Sequence, residues 1–212
     1  GHGMSQDWDY TSDYQDRCLD ISSTFINKPI HLVGHSFGAT VALRVAQRFP
    51  NFVQSISLIE PVFFAAAFSD YRELEAQFML DHADYFSAGE DKNWQLAAEL
   101  FLKLWGNNED WNLLSESKKR QFAQRIPLTF EVSKAIYSDP HDMLKEHAFS
   151  SLTGKASIIY GDMSHFIMPY ICKALSVRIP NTELKCIQNA GHMLPITHPK
   201  ICAQIINKTI EH

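Results

Sequence analysis

No stretch of this 212-residue sequence approaches the ~18 consecutive apolar residues that a membrane-spanning helix needs. Apolar runs such as residues 62–68 are far shorter. The four cysteines, Cys18, Cys172, Cys186 and Cys202, make no CxxC pair and no zinc-like spacing. They read as small buried hydrophobes in a reducing compartment. No secretory leader is read at the start, so the expected location is cytoplasmic. Basic charge is not in excess: 19 Lys+Arg stand against 24 Asp+Glu, a formal charge of −5. That balance argues against nucleic acid or an anionic membrane surface as the main partner. No basic cluster marks a phosphate or coenzyme A site, and no His/Asp/Glu cluster has the spacing of metal ligands. No cofactor and no metal are therefore expected, and the partner left is a small-molecule substrate. The chain also lacks internal repeats and low-complexity segments.

What is present is ordinary globular material, 45% hydrophobic and 20% charged. The length allows one large domain, or a core with an insertion. A helix is expected over residues 10–25, with Tyr14, Leu19, Ile21 and Phe25 inward, broken by Asn27-Lys28-Pro29. Ile30-His31-Leu32-Val33 reads as a strand, residues 34–38 as a tight turn, and residues 39–49 as a helix with an apolar stripe at Val41, Ala42, Val45, Ala46 and Phe49. Residues 53–59 are a second strand. Strand, helix and strand in succession form the unit of a parallel sheet, so the fold class is α/β. Residues 70–152 carry helical patterns and no confident strand. Strand texture returns at 156–160 and 184–187, separated by a helix near 169–177. A terminal helix over 200–210 is expected to turn Ile201, Ile205 and Ile206 inward. The expected organisation is core over 1–61, a helical insertion over 62–152, and core again over 153–212.

Gly34-His35-Ser36-Phe37-Gly38 is a G-x-S-x-G turn between an expected strand and an expected helix, the context of a nucleophile elbow. A serine on so sharp a turn takes a strained backbone, with flanking glycines giving room where a Cβ would clash. Its hydroxyl stands above the sheet at a helix N-terminus, whose free N–H groups favour a developing oxyanion. The Phe37 N–H is the expected oxyanion donor. A base should come late in the chain. His192, in Asn189-Ala190-Gly191-His192-Met193, follows the last strand and overhangs the strand ends, where a neutral imidazole can take the serine proton and later return it. His35 points away from its neighbour Ser36 and reads as packing, and His198 reads as structural.

Four segments now resemble the α/β-hydrolase superfamily: Gly1-His2-Gly3-Met4-Ser5, the elbow, Leu58-Ile59-Glu60-Pro61, and Gly191-His192-Met193-Leu194-Pro195 with Thr197-His198-Pro199. The resemblance implies a parallel α/β-hydrolase core with a helical cap inserted after the strand that ends at Glu60. Two departures from the family stand out. The first segment normally follows a fourth strand, and only four strands are countable where the family has eight. The expectation is a C-terminal half truncated at its N-terminus, without the loop that gives the second oxyanion N–H. The acid is also displaced. The family usually places an aspartate about three residues past a glycine after the seventh strand, and Ser164 stands there, in Gly161-Asp162-Met163-Ser164. A minority place the acid after the sixth strand, where Glu60 stands. Glu60 is the preferred acid, with Asp162 the alternative; both keep the order serine, acid, histidine.

The aromatic-rich insertion, with Phe78, Trp94, Phe101, Trp105, Trp111 and Phe130, implies a largely apolar pocket between cap and core. His35, Phe63, Phe64 and Met193 are the residues expected to border the substrate. A serine nucleophile disfavours dehalogenation and epoxide hydrolysis, which this superfamily performs with a carboxylate. The expected activity is a serine hydrolase cleaving an ester-like bond of a small apolar substrate through an acyl-enzyme. The alternatives are a non-catalytic ligand-binding member and an inactive fragment of an active parent.

Overall fold

The computed structural model describes residues 4, 8–106 and 110–211. The segment Gly1-His2-Gly3, to which a family motif was assigned, lies outside the described residues.

Four strands form one parallel sheet in the order β1 (Ile30–His35), β2 (Val53–Ile59), β3 (Lys155–Gly161) and β4 (Thr182–Ile187). All four lie where the alternation of apolar runs and turn residues puts them. In β2 every residue but Gln54 is buried, the continuous burial of a strand covered on both faces. One face of the sheet, with Ile56, Leu58, Ala156 and Ile158, belongs to the main core. The other, with Ile59, Ile159 and Ile187, packs against the C-terminal helix. Ser57 and Ser157 stand opposite each other in the β2–β3 register and share a buried hydrogen bond of 2.9 Å, so neither hydroxyl is left unpaired.

Helix α1 (Tyr14–Ser23) starts at Asp13, whose side chain accepts from the Asp16 N–H. It is shorter than the pattern suggested, and its inward face differs. Leu19 is buried, whereas Ile21 is 50% and Phe25 74% exposed. The other buried position is Gln15, which donates to Thr40 and accepts from Arg44. A polar network, completed by Arg44 on Asp16 at 3.0 Å, locks α1 onto α2 (Phe37–Arg48), and no hydropathy pattern announces it. Helix α2 begins directly after Ser36 and buries Ala39 through Ala46 against β1 and β2.

Between β2 and β3 the chain is helical: α3 (Phe64–Asp70), α4 (Glu73–Asp81), α5 (Ala83–Glu90), α6 (Trp94–Trp105), α7 (Glu116–Arg125), α8 (Pro127–Glu131) and α9 (Ser133–Tyr137). These helices carry a small core of their own around Tyr85, Ala97, Ala98, Leu102, Trp111 and Ile126. They also reach the main core through Phe64, Phe78 and Trp105. Helix α7, capped by Ser115, buries nothing, as its polar sequence indicates. After β3, α10 (Met168–Ser176) covers the main-core side of β3 and β4. The short α11 (Leu194–Thr197) leads into α12 (Pro199–Ile210), which covers β2 and β3 from the other side. In α12 the buried residues are Cys202 and Thr209; Ile205 and Ile206 pack partly, and Ile201 is 39% exposed rather than inward. Cys172 is buried, but Cys186 is exposed, so the reading of all four cysteines as buried hydrophobes fails there. No helix among the described residues is long and apolar enough to cross a membrane.

Because all four strands are parallel, their C-terminal ends meet along one rim. Ser36 follows β1, Glu60 follows β2, Ser164 stands three residues past the end of β3, and His192 lies on the loop after β4. In open parallel sheets this rim is where ligands bind.

Candidate active site

Ser36 has φ 55° and ψ −125°, a backbone region that non-glycine residues rarely enter. The turn is tied to the sheet by the Ser36 N–H, which donates to the Ile59 carbonyl at 2.9 Å. Gly34 is required by space: a Cβ there would stand 2.5 Å from the Gly38 carbonyl oxygen. Gly38 is not, since a Cβ there would meet nothing within 4 Å. The expectation that both glycines relieve a clash is thus correct for the first alone. The Phe37 N–H opens α2, at the helix end whose first N–H groups have no carbonyl partner within the helix.

Glu60 also has a positive φ, 50°, and its side chain is fully buried. Its Oε1 accepts from the Gly161 N–H at 2.7 Å and from the Ser164 hydroxyl at 2.6 Å. Its Oε2 lies 3.1 Å from His192 Nδ1. With two donors on Oε1, Oε2 is left to accept the Nδ1 proton, and that tautomer leaves a lone pair on Nε2. Nε2 lies 3.0 Å from Ser36 Oγ, so the serine hydroxyl donates to it. Asp162 is exposed, and its backbone N–H, not its carboxylate, makes the contact to the β4 end, donating to Ile187 at 3.0 Å. The structure therefore brings Ser36, His192 and Glu60 together and leaves Asp162 outside.

His35 Nε2 donates to the His192 carbonyl at 2.8 Å. It braces the loop that carries His192, and burial lowers its pKa from the usual imidazole value. Phe63 and Phe64, expected at the substrate wall, are 0% and 2% exposed. They are core residues; Phe64 packs on Phe78, Tyr137 and Trp105, one layer behind the site. Met193 is half-buried beside His192. Trp105, at the end of α6, sets its edge against the His192 ring at 5.4 Å and stacks on His165 at 4.7 Å. His165 is pushed down to about 4, first by burial and then by the neighbouring His82. Neither its place in the fold nor that of Ser164 is marked by a motif; the signal for Ser164 is its position, three residues past Gly161.

Two cavities flank these groups. A polar cleft of about 250 Å³ is lined by Trp105, Ser164, His165, Asn189 and His192, among others. An apolar one of about 290 Å³ lies between Tyr14 and Phe37 on one side and Phe101, Ile126, Leu128 and Val132 of the inserted helices on the other. Among the described residues no cluster of His, Cys, Asp and Glu could hold a metal ion.

Comparison with solved structures gives many similar folds. A deep-sea metagenomic alpha/beta hydrolase enzyme, MGS-M2, superposes with a TM-score of 0.68 at 17% identity, covering 99% of this chain and 76% of that one. A bromoperoxidase from Bacillus anthracis gives 0.67 at 16% identity, over 98% and 77% of the two chains. The carboxylesterase CesB from Bacillus subtilis gives 0.56 at 18% identity, over 92% and 65%. At such identities these likenesses establish the fold alone. No curated protein matches the sequence. A family model described as alpha/beta hydrolase fold matches residues 1–199, and with that match over nearly its whole length the chain belongs to the alpha/beta hydrolase fold family.

Proposed function

We propose that the chain is a serine hydrolase that cleaves an ester-like bond of a small apolar substrate through an acyl-enzyme. The observation that carries this reading is the continuous hydrogen-bonded line from Ser36 Oγ through His192 to Glu60, at 3.0 and 3.1 Å. Ser36 Oγ attacks the substrate carbonyl carbon as His192 Nε2 takes its proton. Negative charge gathers on the carbonyl oxygen, which the Phe37 N–H receives. Glu60 balances the imidazolium. When the tetrahedral intermediate collapses, the bond to the leaving alcohol breaks and His192 returns the proton to it. Water, deprotonated by the same imidazole, then releases the acid and restores Ser36.

Residues 62–152 act in this reading as a cap, and the apolar cavity against Phe37 accepts the substrate's hydrophobic arm. An ester is favoured over a halide or an epoxide because the nucleophile is a hydroxyl. A carboxylesterase among the structural neighbours is consistent with that choice. The test is intact mass after exposure to a fluorophosphonate. A single adduct, absent in Ser36→Ala, is the expected result. No adduct on the unaltered chain would overturn catalysis by this chain and leave the two other readings, a ligand-binding protein built on the same fold and an inactive fragment of an active parent.

A further inference from the structure

The loop after β3 is held from three directions. The Met163 N–H donates to the Ala190 carbonyl at 2.9 Å, the Asp162 N–H to Ile187 at 3.0 Å, and the Ser164 N–H back to Gly161 at 3.2 Å. Gly161 permits this closeness, because a Cβ there would stand 1.9 Å from the Ala190 carbonyl oxygen. Ser164 therefore sits on a fixed turn bonded to the start of the loop that carries His192. Its hydroxyl makes one of the shortest side-chain hydrogen bonds in the molecule, 2.6 Å, to a carboxylate with no exposed surface. A glutamate side chain has three torsions, and the last is broad. Unless one of its oxygens is fixed, the other is not aimed.

We propose that Ser164 is a positioning residue: its hydroxyl, with the Gly161 N–H, anchors Glu60 Oε1 so that Oε2 is presented to His192 Nδ1. The inference rests on the acyl-transfer reading for its kinetic consequence but not for its structural one. The other titratable groups facing the pair are His35 at the end of β1, His165 beside Ser164 and Cys172 on α10.

The experiment compares Ser164→Ala and Ser164→Thr with the unaltered chain, using 4-nitrophenyl butyrate turnover against pH and the downfield proton resonance of His192 Nδ1–H. Ser164→Ala is expected to lower kcat about tenfold with KM within about twofold, the pattern of a group that serves the transition state rather than binding. The acid limb of the rate profile moves to lower pH, because a carboxylate that is no longer aimed supports the imidazolium less well. The Nδ1–H resonance moves as well. Ser164→Thr, which keeps the hydroxyl, restores all three. Ser164→Cys, similar in size but a weak donor, falls between them and supplies the comparison if the alanine variant does not fold. Either of two results overturns the proposal: the alanine variant matches the unaltered chain in all readouts, or it loses rate with limb and resonance unmoved and without rescue by threonine. An unaltered chain with neither turnover nor fluorophosphonate adduct would overturn acyl transfer. The resonance comparison would then still decide Ser164.

Discussion

Replacing Gly34 with alanine sets a Cβ 2.5 Å from the Gly38 carbonyl oxygen, 2.6 Å from Ala39 Cα and 2.8 Å from Ala39 N. All three are backbone atoms at the start of α2, so none can swing aside as a side chain would. Ordinary contact begins near 3.4 Å, and the strand end and the helix must part by about 0.9 Å. Overpacking of this kind costs about 1–3 kcal/mol. The upper end applies here, because the displaced atoms flank Ser36, whose backbone is already strained. For a chain of this size about 1 kcal/mol corresponds to about 2–4 °C in Tm, so Gly34→Ala is expected to melt about 6–12 °C lower. Gly38→Ala is the control. Its Cβ meets nothing within 4 Å, and it lies in the first turn of a helix, where alanine gains up to about 1 kcal/mol over glycine. Its Tm should stay level or rise slightly. Thermal unfolding followed by far-UV circular dichroism at pH 7 measures both. Equal losses in the two variants, or a larger loss in Gly38→Ala, would refute the steric account of the elbow.

Glu60→Gln is expected to lower kcat about 10²–10⁴-fold, because the amide can offer His192 the wrong partner while keeping its shape. Asp162→Asn should change it less than about threefold, and steady-state turnover of a 4-nitrophenyl ester separates the two; a large loss confined to Asp162→Asn would sink the assignment. Stability should fall in mild acid. Burial holds His35, His82 and His165 below the usual imidazole range, His165 at about 4, so each is neutral in the fold and protonates more readily when unfolded. The unfolded chain then binds more protons between about pH 6.5 and 4, and the stabilisation, complete above pH 6.5, is lost as pH falls through that window. Tm measured from pH 7 to 4.5 should drop, His165→Gln should drop less, and a flat profile in the unaltered chain would contradict the assignment.

The sheet was legible because its strands are short apolar runs closed by turn residues, and β2 runs over the expected residues 53–59. Helix faces were harder. Leu96, Leu100 and Leu104 lie at helical spacing in α6, yet the helix buries Ala97, Ala98, Leu102 and Trp105, and Leu96 is 41% exposed. Packing among the inserted helices, not periodicity alone, decides which face turns inward. Ser36 and His192 could be found from local motifs, and Glu60 from the oddity of a charge closing an apolar strand. Ser164 and Trp105 could not be given their places, because their relation to Glu60 and His192 exists only across strand ends and helices far apart in the chain. The same holds for Gln15 on Thr40, a contact between two polar residues that any hydropathy argument would leave at the surface.

The left-handed backbone at Ser36 and Glu60 bears on how this sequence would fare under a search for robustness. Glycine would adopt either conformation without steric penalty. A design procedure or laboratory selection rewarding thermal tolerance alone would therefore rewrite positions 36 and 60 early. It would yield a sturdier protein with both ends of the Ser36–His192–Glu60 hydrogen-bonded line erased. Consensus engineering on this scaffold has to hold those two positions fixed and seek its gains elsewhere, for instance at Gly38.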